Sequence, residues 1–233
     1  MKVFFLLFVL FTTINFSFSQ TADQLKTQLM FENFYGSKAR SSASGAPIIG
    51  SEFLVEDWSP MEITLSTGVV EFQNGKLNLF SSNAEVIYNE REMTISPSHI
   101  KIISLSSEKR WFVPGTKYYY KDISVKGFLE VFSTSLQPPF IMEQHYVYVK
   151  EPSSNGYISG GSTELKLIKS SAIFLNDGIK LVAIKKKGDL EKFYLNDKVL
   201  FKKLSSQSKT NFKEAKSIHN LVIEMQKATM ESK

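Results

Sequence analysis

Hydrophobic and polar residues alternate with a period of two through most of the chain, from Glu52 to about Ile184. In the segment Met61–Leu65, for example, Met, Ile and Leu are separated by Glu and Thr. A strand with this pattern buries one face and exposes the other, as strands of antiparallel sheets do. Short polar segments that are typical of hairpin turns separate these strands: Asn74-Gly75, Asn89-Glu90 and Asn176-Asp177-Gly178. The pattern therefore predicts a meander of short antiparallel strands.

After Lys185 the period changes to that of helices, first in two short segments, 189–194 and 197–204. Asn211-Phe212-Lys213-Glu214 then has the spacing of a capping box. An apolar stripe follows at helical spacing: Ala215, Ile218, Leu221, Val222 and Met225. We expect this closing helix to lie across the sheet or over an open edge, because uncovered edges promote aggregation. The predicted fold is α+β: an antiparallel meander sheet, open or curled into a half-barrel, with C-terminal helices packed on it.

The first nineteen residues have the layout of a secretory signal peptide. Lys2 gives a positive start, an apolar run extends from Val3 to Phe11, and Ser17 and Ser19 are the small residues before a cleavage site. The run is too short for a membrane-spanning helix, which needs about 20 apolar residues. We therefore expect cleavage after Ser19, export to the periplasm or beyond, and a soluble mature chain without a membrane span.

The mature chain divides into two parts in this interpretation. Residues 20–50 combine a short helix, capped by Thr21 and ending before Gly36, with a flexible linker rich in Ser, Ala and Gly. Residues 51–229 form a single β-rich domain with a C-terminal helical cap.

The composition narrows the possible chemistry. The chain contains no cysteine, which excludes disulfides, cysteine-ligated zinc, cysteine nucleophiles and a lipid anchor on an N-terminal cysteine. The net charge of +5 falls to +4 once Lys2 is removed with the leader. Because this charge is small and the protein is expected outside the cytoplasm, we predict no nucleic-acid partner.

Five segments carry hydrophobic patterns and turns in a recognisable order: 58–68 (WSPMEITLSTG), 87–93 (IYNEREM), 127–132 (GFLEVF), 173–178 (IFLNDG) and the Lys-rich 184–194. In this order they resemble a loosely defined group of secreted β-rich proteins of unknown function that is common in Bacteroidota. The resemblance covers residues 50–228 and implies a signal peptide, a strand meander and a helical C-terminal end. It implies no functional residues.

No motif of known chemistry is present in the sequence: it has no glycine-rich phosphate loop, no HExxH helix and no GxSxG elbow. The three histidines are scattered. We therefore predict a protein that is not an enzyme, with no catalytic residues, no bound metal and no cofactor.

The best polar constellation is Glu130, Glu143 and His145. Glu143 and His145 are two residues apart, so they project from the same face of a strand. If the segments 128–133 and 140–149 form a hairpin, Glu130 can lie opposite Glu143. Two carboxylates beside an imidazole could perform acid–base chemistry or bind a metal, but a cross-strand contact on a polar face is the simpler interpretation. A hydrolase that uses these three residues remains an alternative.

A second set of candidate residues is aromatic: Trp111, Tyr118, Tyr119, Tyr120, Tyr146 and Tyr148. If exposed, such rings could stack on sugars or contact a partner, because they offer a large apolar area at low entropic cost. If buried, they belong to the core.

The segment 180–216 contains 11 Lys against four acidic residues. This is typical of a solvated helical face, and it would also suit an anionic lipid surface or an acidic partner. With no catalytic motif, the sequence predicts an exported binding or protein-interaction module whose partner is an envelope protein, a glycan or a lipid. The alternative from another class is a carrier that encloses a small hydrophobic ligand between the sheet and the closing helix.

Overall fold

The computed structural model describes residues 48–65, 68–133, 137–150 and 165–231. The predicted signal peptide, the predicted helix after it and the linker as far as residue 47 lie outside the described residues.

The described residues form thirteen strands and three α-helices. The strands are β1 (Ile48–Ile49), β2 (Ser59–Leu65), β3 (Val69–Asn78), β4 (Asn83–Tyr88), β5 (Arg91–Ile95), β6 (Ile100–Leu105), β7 (Arg110–Pro114), β8 (Tyr119–Tyr120), β9 (Ile123–Ser124), β10 (Phe128–Val131), β11 (Phe140–Lys150), β12 (Leu165–Asn176) and β13 (Leu181–Ala183). The helices are α1 (Lys187–Phe193), α2 (Lys198–Gln207) and α3 (Ala215–Glu231). Short 3₁₀ turns occupy Pro97–His99 and Gly115–Lys117.

One large sheet dominates the fold, with the strand order β1-β12-β11-β10-β7-β6-β2-β3-β4-β5 and with β13 beside β12. The sheet is mixed, because β1 runs parallel to β12 while the other neighbours are antiparallel. β8 and β9 form a separate ribbon between β7 and β10 along the chain. Among the described strands, the order ends at β1 and β5, so the sheet does not close into a barrel. The predicted α+β fold, a largely antiparallel sheet with C-terminal helices packed on it, is confirmed.

The predicted hairpin at Asn74-Gly75 is wrong, because β3 runs through both residues. Ser59 lies opposite Gly75 whereas Met61 lies opposite Phe72, so β3 has an extra residue there, a β-bulge. A Cβ atom on Gly75 would lie only 2.8 Å from the Cβ of Met61. The glycine is therefore needed for the close approach of two strands, and not for a turn.

The other two predicted turns are confirmed. β4 and β5 are joined at Asn89 and Glu90, which both have positive φ (49° and 61°), as tight hairpin turns require. β12 and β13 are joined through the segment 176–180, in which Asp177 Oδ1 accepts hydrogen bonds from the N–H groups of Ile179 and Lys180. The predicted linker ends earlier than expected, because Ile48–Ile49 already pair with β12 as strand β1.

The buried apolar side chains form three clusters. The strand core contains buried side chains of β2 to β7 together with Phe128. The helix core joins the three helices to Ile141 and Leu175. The ribbon core contains Leu129 and Met142 and lies against Tyr118 and Tyr120 near the β8–β9 ribbon.

The alternation along β10 and β11 places these cores on the two faces of the sheet. Phe128 belongs to the strand core, whereas its neighbour Leu129 belongs to the ribbon core. Ile141 belongs to the helix core, whereas Met142 belongs to the ribbon core. Because Glu130 shares its face with Phe128 and with Ile141 across the strand pair, it lies between the strand core and the helix core.

The helices cover one end of the sheet as predicted. The apolar stripe of α3 is buried against β11, with Ile218, Leu221, Val222 and Met225 all fully inaccessible to solvent. Gln226 fixes the helix further, since its Nε2 donates a hydrogen bond of 2.8 Å to the carbonyl of Pro139. The two short helices that were predicted from the pattern are α1 and α2, with slightly shifted ends.

Candidate functional site

The register of β10 and β11 brings the three predicted polar residues together. Glu130 lies directly opposite Glu143, which confirms the predicted pairing. His145 lies diagonally across the same face, and its Nε2 is 2.7 Å from Glu130 Oε2. The distance from His145 Nε2 to Glu143 Oε2 is 4.0 Å. The sequence pattern alone therefore placed all three side chains correctly on one face.

The fourth member of this cluster, Arg110 on β7, was not predicted. Its Nε donates to Glu130 Oε1 at 2.9 Å and its Nη2 donates to Glu130 Oε2 at 2.8 Å, which is a bidentate ion pair. Its Nη1 also donates to Glu108 Oε2 at 3.0 Å. Arg110 reaches this position because Phe112, two residues on, lies opposite Glu130 in the β7–β10 pair.

A signal for a basic partner was present in the sequence. Glu130 is the only acidic residue in an otherwise apolar strand, Phe128–Val131, and its exposed fraction is 6%. A buried carboxylate requires a cation or several hydrogen-bond donors. The sequence could not say which cation, because β7 and β10 pair across the intervening ribbon.

The electrostatics of Glu130 follow from these contacts. Burial by itself would raise the pKa of Glu130, but the hydrogen bonds from His145 and Arg110 outweigh burial and lower the pKa to about 2. Burial opposes the charge of Arg110 as well, and the ion pair with Glu130 overcomes this and raises the Arg110 pKa above its usual value. Both groups are therefore ionised at neutral pH.

The ionised carboxylate of Glu130 determines which ring nitrogen of His145 carries a hydrogen. A carboxylate only accepts hydrogen bonds, so His145 Nε2 must carry the hydrogen in its contact with Glu130. The Nη2 of Arg110, which is 3.4 Å from the same nitrogen, is also a donor. The imidazole is thus positioned by Glu130 and not by Arg110.

The cluster has the spacing of a metal site but not its electrostatics. Ligand atoms of Glu130, Glu143 and His145 lie within 4.8 Å of one another. However, Arg110 already contacts both oxygens of Glu130, and His145 Nε2 presents a hydrogen where a metal would need a lone pair. Because a permanent cation occupies the carboxylate, the arrangement fits a structural ion-pair network better than a metal centre.

The aromatic candidates separate into three groups. Tyr120 and Tyr146 line a groove of about 470 Å³. Tyr119 and Tyr148 are outside this lining and are exposed by 52% and 48%. Trp111 and Tyr118 are half-buried and pack against the ribbon core. The structure thus brings two of the six predicted rings to one site.

The groove contains a further ring that the sequence analysis missed. Phe80, in the turn between β3 and β4, is 57% exposed and lines the groove. With a hairpin predicted at Asn74-Gly75, the residues after it were assigned to a strand. The turn that contains Phe80 was therefore not predicted. A large apolar residue within a polar turn could have indicated an exposed ring.

The groove exists because β11 is longer than its neighbour β10. β10 pairs with β11 only as far as Leu129 and Gln144, while β11 continues to Lys150. Beyond that point the wall is formed by the turn containing Ser82 and by the loop before β10. The side chain of Gln144 donates from Nε2 to the carbonyl of Lys126 at 3.0 Å and so holds this loop in place.

The polar groups of the groove are neutral or basic. Ser82, Lys126 and Gln144 contribute to its lining beside the rings, and none of the described residues that line it is acidic. Tyr120 is held by an edge contact with Phe174, with ring centroids 5.3 Å apart. A concave site with a mostly apolar lining and a few polar groups is the usual form of a small-ligand site.

Comparison of the chain with known protein families, with curated protein sequences and with solved structures finds no match. Among the described residues, no helix is both long enough and apolar enough to cross a membrane.

Proposed function

We propose that the protein is an exported binding module whose groove takes a glycan. The observation that carries this proposal is the presence of exposed Phe80 beside Tyr120 and Tyr146 in a groove of about 470 Å³. Ring faces of this kind stack on the apolar C–H faces of sugars, and the size falls within the range of small-ligand sites.

The polar lining favours an acidic sugar. Lys126 supplies a positive charge, and Ser82 and Gln144 supply groups that can bind hydroxyls. Because none of the described lining residues is acidic, an anionic ligand would meet no like charge from them. We therefore expect glycans with a carboxylate to bind more tightly than neutral ones.

Two alternatives from the sequence receive less support. A carrier needs an apolar cavity between sheet and helix, whereas the side chains of α3 are packed against Ile141 and Leu175 without solvent access. In the hydrolase alternative Glu130 would serve as an acid or a base, whereas its contacts with Arg110 and His145 lower its pKa to about 2 and keep it ionised at neutral pH.

A glycan array that includes peptidoglycan fragments and acidic polysaccharides tests the proposal. Tyr146→Ala should weaken binding by about tenfold, the effect of losing one ring contact. Tyr148→Ala is the matched control, because Tyr148 lies on the same strand face and is 48% exposed but does not line the groove. Absence of glycan binding by the unaltered protein, or equal losses in the two variants, would contradict the proposal.

The export part of the proposal has its own test. N-terminal sequencing of the protein purified from its own cells should find Gln20 as the first residue. A chain that retains residues 1–19 would contradict cleavage at the expected site.

A further inference from the structure

The corner between α1 and α2 exposes three apolar side chains. Phe193 is 40% exposed, Leu195 is 64% exposed and Val199 is 85% exposed. We call these three residues the apolar corner. They lie within seven consecutive residues, so they belong to one short segment of the surface.

The backbone of this corner is held firmly. Asp197 N–H donates to the carbonyl of Tyr194 at 3.1 Å, and Phe201 N–H donates to the carbonyl of Asp197 at 2.9 Å. The ring of Tyr194 stacks on fully buried Phe201 with centroids 5.8 Å apart, and Phe193 contacts Tyr194 edge-on at 5.1 Å. The fold thus buries the rings of Tyr194 and Phe201 and leaves the neighbouring apolar side chains pointing outward.

Lysines flank the apolar corner along the chain, with Lys192 directly before Phe193 and Lys198 directly before Val199. All 11 lysines of the segment 180–216 are exposed, and this segment has four acidic residues, an excess of seven positive charges. On α2, Val199 shares its exposed face with Lys202 and Lys203, which follow it by three and four residues. Glu191 binds Lys198 at 3.4 Å and Lys202 at 3.9 Å, and the ion pairs of the described residues leave Lys192 and Lys203 unpaired.

We infer that the apolar corner inserts into the surface of an anionic lipid membrane while the neighbouring lysines contact the headgroups. Insertion removes the exposed apolar area of Phe193, Leu195 and Val199 from water. This burial is favourable in proportion to the apolar area removed. Lysines near such a surface each add to the attraction, and a protein surface that combines basic and apolar residues is typical of interfacial binding. This site is separate from the groove and would hold the protein at a membrane while the groove remains free.

Vesicle flotation tests the inference with the protein purified after export. We expect it to float with vesicles of phosphatidylcholine and phosphatidylglycerol at low salt, to bind them less at high salt, and to remain unbound with phosphatidylcholine alone. The double variant Leu195→Ser/Val199→Ser should bind roughly tenfold less. The matched control is Val69→Ser, since Val69 is 51% exposed on β3, far from β12 in the sheet order.

The charge contribution has a separate variant. Lys192→Gln/Lys203→Gln should lower binding by about fivefold for each lysine, with Lys101→Gln/Lys117→Gln as the control pair. Failure of the unaltered protein to float with anionic vesicles overturns the inference and leaves an acidic protein partner as the explanation of the lysines. Unchanged flotation of the Leu195→Ser/Val199→Ser variant overturns it as well. Tyr146→Ala should float normally, so the outcome is independent of the glycan proposal.

Discussion

Replacing Arg110 with methionine should destabilise the fold by about 3 kcal/mol, because it leaves the buried carboxylate of Glu130 without its bidentate partner. Methionine keeps an unbranched apolar side chain near Phe112, over whose ring the guanidinium lies at 5.2 Å. The loss of an ion-pair partner is therefore the main change.

The acid–base properties of Glu130 give a similar magnitude. Its pKa is lowered from 4.5 to about 2 by His145 and Arg110 against the effect of burial. Each tenfold change in an acid constant corresponds to about 1.4 kcal/mol, so the charged contacts of Glu130 contribute about 3 kcal/mol at neutral pH. Arg110 shares this contribution with His145, which lowers the cost of losing Arg110. The carboxylate then left buried without its partner raises the cost again, so Arg110→Met should destabilise the protein by about 3 kcal/mol.

Urea unfolding followed by circular dichroism measures this change. The midpoint should fall by roughly 1.5 M if the urea dependence is about 2 kcal/mol per M. The double variant Arg110→Met/Glu130→Met removes both charges and should recover most of the loss, because two apolar side chains of similar size can replace a buried ion pair.

The control is an exposed ion pair. Lys169 and Glu56 are 2.9 Å apart but 41% and 62% exposed, so Lys169→Met should change the free energy of unfolding by less than about 0.5 kcal/mol. A cost of less than about 1 kcal/mol for Arg110→Met, or a double variant as unstable as the single one, would contradict the role of the ion pair.

Acidification should destabilise the protein in two stages, measured by urea unfolding over a pH series. Burial lowers the pKa of His219 below 6.5, so stability should begin to fall as the pH drops through the histidine range, and His219→Leu should remove this stage alone. Stability should fall again between about pH 4.5 and 2, because the pKa of Glu130 is lower in the folded state than in the unfolded state. Gly75→Ala should cost about 1 to 3 kcal/mol in thermal or urea unfolding, since its Cβ would lie 2.8 Å from Met61. Gly188→Ala is its control, because a Cβ there meets nothing within 4 Å and the substitution should be neutral or stabilising.

Local patterns predicted the elements of this fold well. The alternation at Met61, Ile63 and Leu65 corresponds to a strand whose three apolar side chains are buried to 4% exposure or less. The helical stripe from Ala215 to Met225 is buried against the sheet. The side chains of a strand repeat every two residues and those of a helix every three to four. Both patterns can therefore be recognised within the sequence of the element itself.

Local patterns do not predict where distant strands meet. Asn74-Gly75 has the composition of a turn, but β2 packs so closely on β3 that the glycine lies in a bulge within the strand. Phe80 was not predicted as an exposed ring, because the real turn lies between β3 and β4 and not at Asn74-Gly75. A dipeptide cannot report which strand will lie beside it.

The candidate sites divide in the same way. The sequence by itself determined that Glu130, Glu143 and His145 share one face, because a hairpin and a period of two are enough to place them. Only the tertiary structure decided what they do there, because Arg110 comes from β7, which pairs with β10 across an intervening ribbon. That long-range pairing places a permanent cation on the buried carboxylate and makes an ion-pair network out of residues whose spacing alone is equally that of a metal or acid–base site.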